Sequence, residues 1–125
     1  ALITGATSGI GLSTLKKFHS KGYFVFFTFK NNKNKAIQIE NEFLNSQSFQ
    51  LDLSSNSNIN FFFEKFSKLN IKLDVLINNA AQTRFINPNL ESSFDDIDFL
   101  ESVQINLVSV FYPTKNSHNK ANRPY

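Results

Sequence analysis

The 125 residues suffice for one domain of ordinary size, and 41% of them are hydrophobic, which is enough for a buried core. The net charge is +3, and the basic residues are scattered along the chain rather than gathered, so we expect no nucleic-acid partner. The chain has no Cys, which excludes disulfides, thiolate metal sites and a cysteine nucleophile. No apolar run reaches transmembrane length. We therefore expect no membrane association and a cytoplasmic location.

The first segment passes from an apolar stretch through a glycine-rich turn into a helical pattern. Residues 1–3 are predicted to end a first strand, and residues 9–21 are predicted to form a first helix. Apolar residues recur near helical spacing in this helix: Ile10, Leu12, Leu15 and Phe18. Gly22 follows at the position of a C-cap glycine. Because the chain begins without Met and already inside a strand, we expect it to be a piece of a longer protein.

The middle of the chain alternates between strand and helix patterns. Residues 23–29 (YFVFFTF) predict a parallel strand buried on both faces, and residues 48–51 predict a short third strand. Residues 33–44 predict a second helix with an apolar face made of Ala36, Ile37, Ile39, Phe43 and Leu44. A third helix, capped by Ser54 or Ser55 and running to about residue 69, points four residues inward: Ile59, Phe62, Phe63 and Phe66.

The last part contains one more strand and one more helix. Residues 73–77 (LDVLI) predict a fourth strand, residues 82–93 a polar loop, residues 94–111 a helix, and residues 116–125 a tail that frays. This alternation predicts an α/β fold in one domain over residues 1–125. We expect a Rossmann-like doubly wound parallel sheet with strand order 3-2-1-4, truncated because later strands are missing. The ligand site is expected between strands one and four, at their carboxyl ends.

The glycine-rich turn has the spacing Gly5-x-x-x-Gly9-x-Gly11 between the first strand and the first helix. A helix N-terminus offers unpaired N–H groups and the positive end of a dipole, and glycines let a pyrophosphate approach the backbone. With Thr4 before it and Gly-Ile-Gly at its end, the turn resembles the cofactor loop of the classical short-chain dehydrogenase/reductase family. The alternative is a strand–helix turn without a ligand. The resemblance implies that the loop binds a dinucleotide through Thr4, Gly5, Ser8, Gly9, Ile10 and Gly11.

Lys30 follows the second strand, at the position that determines cofactor specificity in dinucleotide-binding folds. An acidic residue near this point hydrogen-bonds the ribose of NAD, whereas a basic one accommodates a 2′-phosphate. Lys30 therefore favours NADP (NADPH) over NAD, unless it is only a solvated lysine. The family resemblance further implies that Asp52 contacts the adenine amino group and that Leu53 lines the adenine pocket, although an Asp here can equally serve a turn or a helix cap.

The stretch Asn78-Asn79-Ala80-Ala81 resembles the family's Asn-Asn-Ala-Gly sequence. This resemblance implies that Asn78 and Ala80 belong to the cofactor site. An amide side chain at a strand end can tie adjacent backbones together and line the cleft. Ala81 departs from the family pattern, because glycine is usual at this position. If the position requires a positive φ, alanine is strained there.

Asn106 matches the Asn of the family's Asn-Ser-Tyr-Lys catalytic set. Its implied role is to hold a water that links the catalytic lysine to solvent, and the alternative is an ordinary helix asparagine. The family's Tyr-x-x-x-Lys motif does not occur in the 125 residues, because none of Tyr23, Tyr112 and Tyr125 has a lysine four residues later.

The resemblance implies an oxidoreductase that transfers a hydride between NADP(H) and a small-molecule carbonyl or alcohol substrate. The 3-oxoacyl thioester reductases are one subgroup that fits, and homodimers or homotetramers are usual in the family. A non-catalytic dinucleotide-binding module or sensor, and a nonfunctional fragment, are the alternatives. Without the tyrosine and lysine, this chain alone is expected to bind NADPH weakly and to turn over no substrate.

Overall fold

The computed structural model describes residues 1–82, 96–108 and 110. In these residues, four strands alternate with helices in chain order. The strands are β1 (Leu2–Ile3), β2 (Val25–Phe29), β3 (Ser46–Gln50) and β4 (Leu76–Ile77). The helices are α1 (Gly9–Ser20), α2 (Lys33–Glu42), α3 (Asn56–Lys68) and α4 (Asp96–Val103), and α4 continues into a π-helical turn (Gln104–Val108).

The four strands form one parallel sheet in the order β3-β2-β1-β4, which confirms the predicted topology. In its register, Ile3 of β1 lies between Phe27 of β2 and Ile77 of β4. The strand order reverses beside β1, so the crevice above β1 and β4 is where ligands bind in such sheets. Among the helices that the structure describes, none is long and apolar enough to cross a membrane.

Each face of the sheet is covered by a separate hydrophobic core. Successive strand residues point to opposite faces, so Leu2 enters the core under α3 while Ile3 enters the core under α1 and α2. The α1/α2 core is mainly aliphatic and includes Leu15, Val25 and Ile39. The α3 core is rich in rings that meet edge to face: Phe26, Phe49, Phe62 and Phe66.

Two predicted ends and caps agree with the structure. Gly22 has a φ of 83°, and its N–H donates to the carbonyl of His19 as α1 ends. Tyr23 then returns its N–H to the carbonyl of Phe18, which closes the helix terminus. Ser55 is the N-cap of α3, and its hydroxyl accepts a hydrogen bond from the backbone N–H of Asn58.

The predicted inner face of α2 was wrong at two positions. Leu44 is 83% exposed and Ile37 is 43% exposed. The helix ends at Glu42 because β3 begins at Ser46, two residues earlier than predicted, and the chain needs the intervening residues to turn. Ile37 lies one residue beyond the buried Ala36, about 100° further round the helix, and therefore faces away from the core.

Ile10 was also wrongly placed in the apolar face of α1, since its side chain is 79% exposed. It lies in the first helical turn, which borders the cleft described below. Strands β2 and β4 begin later than predicted, at Val25 and Leu76. The predicted loop beyond residue 82, the ends of the fourth helix at residues 94–95 and 111, and the tail at residues 116–125 lie outside the described residues.

Candidate functional site

An open cleft of about 520 Å³ lies at the carboxyl ends of all four strands. Its described lining consists of residues 5, 7–11, 28–32, 51–53, 79–82 and 105, and we call it the main cleft. Nine of the twelve predicted site residues line it: Gly5, Ser8, Gly9, Ile10, Gly11, Lys30, Asp52, Leu53 and Ala80. Thr4, Asn78 and Asn106 do not. The cleft thus joins the glycine loop to the end of β4, as the sheet topology predicts.

The three glycines of the loop serve different geometric needs. Gly5 and Gly9 have positive φ values of 66° and 52°, which favour glycine over any residue with a side chain. A Cβ on Gly9 would meet no atom within 4 Å, so it would project into the open cleft where a ligand could approach. A Cβ on Gly11 would lie 2.5 Å from the Asn79 Nδ2 atom, so only glycine allows α1 to pack this closely.

The N-terminus of α1 is left without local capping partners. Ser8 is its N-cap residue but forms no side-chain capping hydrogen bond, and the first turn contains no acidic residue. By contrast, the N-caps of α2 and α3, Asn32 and Ser55, both accept a backbone N–H. No side chain of α1 therefore competes with an anion for its first-turn N–H groups.

Thr4 joins the end of β1 to the segment after β4. Its side chain is buried, at 2% exposure, and its Oγ1 accepts the backbone N–H groups of Asn79 and Ala80, each at 3.0 Å. The same hydroxyl donates to the carbonyl of Ile77 at 3.5 Å. Thr4 was predicted to belong to the cofactor site. Its hydroxyl is used in hydrogen bonds to backbone groups, so the Thr4 side chain supports the floor of the main cleft and does not line it.

Asn79 makes the tie that was predicted for an amide in this stretch, although sequence reasoning selected its neighbours for the site. Its Nδ2 atom donates to the carbonyls of Thr4 and Gly5, both at 3.0 Å. Asn78 is exposed and lies outside the cleft lining. Since adjacent residues of an extended segment point to opposite sides, only one of the two asparagines can face the glycine loop.

Thr28 is a second contact to the loop that sequence reasoning missed. Its Oγ1 accepts the N–H of Gly5 at 3.2 Å, and its carbonyl accepts the N–H of Ala6 at 3.1 Å. The sequence did carry a signal for this contact, because Thr28 is the one polar residue in the otherwise apolar run VFFTF. A buried hydroxyl in such a run needs a partner, and the loop backbone supplies it.

Ala81 lines the main cleft without backbone strain. Among the described residues, Asn70 is the only non-glycine with a positive φ, at 49°. The backbone at Ala81 therefore does not need glycine, and the departure from the family pattern leaves the cleft intact.

Lys30 and Asp52 form an ion pair at one end of the main cleft. Lys30 Nζ lies 3.3 Å from Asp52 Oδ1, and the two side chains are 43% and 34% exposed. Asp52 Oδ1 also accepts the backbone N–H and the hydroxyl of Ser54, so the predicted turn role is confirmed. Partial burial alone would raise the pKa of Asp52, but the Ser54 hydrogen bonds and the Lys30 ammonium outweigh it and lower this pKa below its usual value. Leu53 is buried at the same end.

Asn106 fastens the last described residue of the β4 segment. Its Oδ1 accepts the N–H of Gln82, and its Nδ2 donates to the carbonyl of Gln82, both at 2.9 Å. Asn106 lies in the π-helical turn, where the neighbouring Ile105 is buried against the cleft. The Asn106 side chain thus pairs with both backbone groups of Gln82 and fixes the end of the described β4 segment.

A family model described as short chain dehydrogenase matches residues 1–121. The chain is 32% identical to the 3-oxoacyl-[acyl-carrier-protein] reductase FabG of Aquifex aeolicus, over 96% of this chain and 49% of that protein. Among solved structures, it is similar to a 4-hydroxyisoleucine dehydrogenase complexed with NADH, with a TM-score of 0.82, 30% identity and coverage of 95% and 47% of the two chains. It is also similar to a metagenomic short-chain oxidoreductase in complex with NADP, with a TM-score of 0.81, 26% identity and coverage of 93% and 53%.

The chain spans half or less of the length of the curated relatives it matches. The matched part includes the glycine loop, the end of β4 and the π-helical turn. These are the segments that the polar contacts above bring together.

Proposed function

Because this chain belongs to the short-chain dehydrogenase family, we propose that its main cleft binds NADP(H) as the cofactor-binding part of an oxidoreductase. The observation that carries the proposal is the junction of Thr4 with Asn79 and Ala80. This junction sets the glycine loop and the β4 segment on two sides of one cleft. A nicotinamide dinucleotide is the coarser conclusion that the family supports, and the choice of NADP(H) rests on Lys30.

The residues of the cleft fit the parts of a dinucleotide. The uncapped first turn of α1 and the open space at Gly9 suit a pyrophosphate, since backbone N–H groups and the helix dipole both favour an anion there. Asp52 and Leu53 lie further along, where the adenosine end would reach. The nicotinamide, when bound, supplies or accepts the hydride. The chain's own contribution is to orient that ring by holding the rest of the cofactor.

Lys30 supports NADP(H) over NAD(H) on electrostatic grounds. Its ammonium is already paired with Asp52, but an exposed ion pair of this kind contributes little, about 0–1 kcal/mol. A phosphate monoester carries nearly two negative charges at neutral pH and can therefore draw the ammonium away from a single carboxylate. Asp52 would keep its hydrogen bonds from Ser54 and remain ionised.

For the whole protein, we propose hydride transfer between NADP(H) and a carbonyl or alcohol substrate. A 3-oxoacyl thioester is the substrate class suggested by the FabG relative. Asn106 would hold the water of the proton relay, and its side chain positions Gln82. The remaining proposals are a homodimer or homotetramer, a cytoplasmic location and no nucleic-acid partner.

A non-catalytic dinucleotide-binding module or sensor is the second candidate. It needs only the main cleft, whereas the oxidoreductase also needs a general acid and base, such as a Tyr-x-x-x-Lys pair elsewhere in the whole protein. The two candidates share the main cleft and differ in turnover.

The test is a calorimetric titration of the purified chain with NADPH and with NADH, for the wild type, Lys30→Gln and the control Lys33→Gln. Lys33 carries the same charge three residues away but does not line the cleft. We expect Lys30→Gln to lower the affinity for NADPH several-fold and to leave the affinity for NADH unchanged. The control Lys33→Gln should change neither affinity. Equal affinity of the wild type for the two cofactors would remove the NADP(H) assignment, and no binding of either would remove the dinucleotide site. Steady NADPH oxidation with a 3-oxoacyl thioester would exclude the non-catalytic candidate.

A further inference from the structure

A second cavity of about 550 Å³ adjoins the main cleft near the carboxyl end of β3. Its described lining consists of residues 30–31, 49–50, 52, 58, 61–62 and 65, and we call it the second cavity. Its volume falls within the range of small-molecule sites. Nothing in the proposed hydride transfer uses it.

The two cavities share one wall. Lys30, Asn31 and Asp52 line both of them, so the ion pair between Lys30 and Asp52 stands between the main cleft and the second cavity. Gln50 stabilises this wall, because its Nε2 atom donates to the backbone carbonyl of Lys30 at 3.0 Å. A ligand in the second cavity would therefore reach the same ammonium as a ligand in the main cleft.

The charge of the second cavity favours an anion. Two lysines, Lys30 and Lys65, face one carboxylate, Asp52, which leaves one net positive charge. None of the ion pairs formed by the described residues includes Lys65. Its ammonium instead lies 4.3 Å from the centroid of the Phe61 ring, which holds it near the cavity without neutralising it.

The other lining residues add hydrogen-bond donors and an apolar floor. Asn31 and Asn58 bring amide side chains that can donate to anionic oxygens. The rings of Phe49 and Phe62 meet edge to face at 5.5 Å under the cavity, and the Phe61 ring is 57% exposed at its rim. An anionic group attached to a flat or apolar body fits both features.

We propose that the second cavity binds a phosphate monoester group between Lys65 and Lys30. Two cations and neighbouring amide donors suit a group with nearly two charges and three acceptor oxygens better than a single carboxylate. The phosphate can come from the ribose 2′-phosphate of the cofactor, which rests on the proposed function, or from a separate phosphorylated small molecule. In both cases Lys65 is the second cation.

The experiment compares Lys65→Gln with Lys68→Gln and Lys65→Arg in calorimetric titrations of the chain. Lys68 is the matched control, since it lies one turn further along α3, pairs with Glu64 and does not line the cavity. The probes are adenosine 2′,5′-bisphosphate, ADP, and inorganic phosphate added at saturating ADP. Circular dichroism confirms that each variant is folded.

If the cofactor supplies the phosphate, Lys65→Gln weakens adenosine 2′,5′-bisphosphate about five- to tenfold and leaves ADP unchanged. If a separate ligand supplies the phosphate, Lys65→Gln leaves the affinity for the bisphosphate unchanged and lowers the affinity for inorganic phosphate by a similar factor. Lys65→Arg retains binding in either case, and Lys68→Gln changes nothing. The proposal is overturned if ADP binds and Lys65→Gln alters the binding of neither adenosine 2′,5′-bisphosphate nor inorganic phosphate. Loss of the proposed function has a different signature, because ADP would then fail to bind the wild type.

Discussion

Replacing Thr4 with valine tests the junction that forms the main cleft. Valine has nearly the same shape, so the substitution removes the hydroxyl without opening a void. The backbone N–H groups of Asn79 and Ala80 then lose their acceptor, and the carbonyl of Ile77 loses a long, weak donor. Leaving two partly buried donors without partners should lower the free energy of unfolding by about 2–4 kcal/mol.

Urea unfolding of the variant measures this loss, and thermal unfolding should show a fall in Tm of roughly 8 °C or more. Thr14→Val is the matched control, because the Thr14 hydroxyl donates only to the carbonyl of Ile10 within α1. Thr4→Ser keeps the hydroxyl and should recover most of the stability. If Thr4→Val is no less stable than Thr14→Val, the hydroxyl does not hold the two segments together and the reasoning is wrong.

Three further substitutions test neighbouring parts of the site. Gly11→Ala should lower the free energy of unfolding by about 1–3 kcal/mol in urea and weaken NADPH, because the new Cβ would lie 2.5 Å from Asn79 Nδ2. Asp52→Asn should be less stable than the wild type at pH 7, and the difference should vanish as the pH falls below 3.8, since the folded-state pKa of Asp52 is lowered and protonation removes its advantage. Asn106→Ala should speed amide hydrogen exchange at Gln82 about fivefold or more, by removing the acceptor of its N–H; unchanged exchange would contradict that contact.

Periodicity predicted the strands and helices because burial in this fold follows simple spacing, and the right-handed crossovers of parallel strands then predicted the sheet order. The strand VFFTF, for example, is apolar on both faces, as a central parallel strand must be. The end of α2 was wrong because helical pattern continues through Leu44, whereas the start of β3 at Ser46 decides where the helix stops. Tertiary pairing therefore outweighed local periodicity at this boundary.

The site was harder to predict than the fold because its key contacts join residues far apart in the chain. Glycine spacing indicated the loop, since glycine has a local conformational meaning. The hydroxyl of Thr4 accepts the backbone N–H of Asn79, and the side-chain amide of Asn79 donates to the carbonyl of Thr4, across 75 residues. No local pattern indicates which of two adjacent asparagines turns toward the loop. Lys30 was predicted as a cofactor contact, but its pairing with Asp52 depends on the relative placement of β2 and β3.

The start of α1 breaks a local rule that α2 and α3 obey. Ser8 would be a good N-cap, yet its side chain makes no capping bond, whereas Asn32 and Ser55 cap α2 and α3. A missing cap costs about 1 kcal/mol, and the chain also places two glycines in the same turn. Packing of Gly11 against Asn79 compensates on the buried side, while the side facing the cleft has no such partner. An anion bound there would supply the missing interaction, so the turn is least stable where the proposed pyrophosphate would stabilise it most.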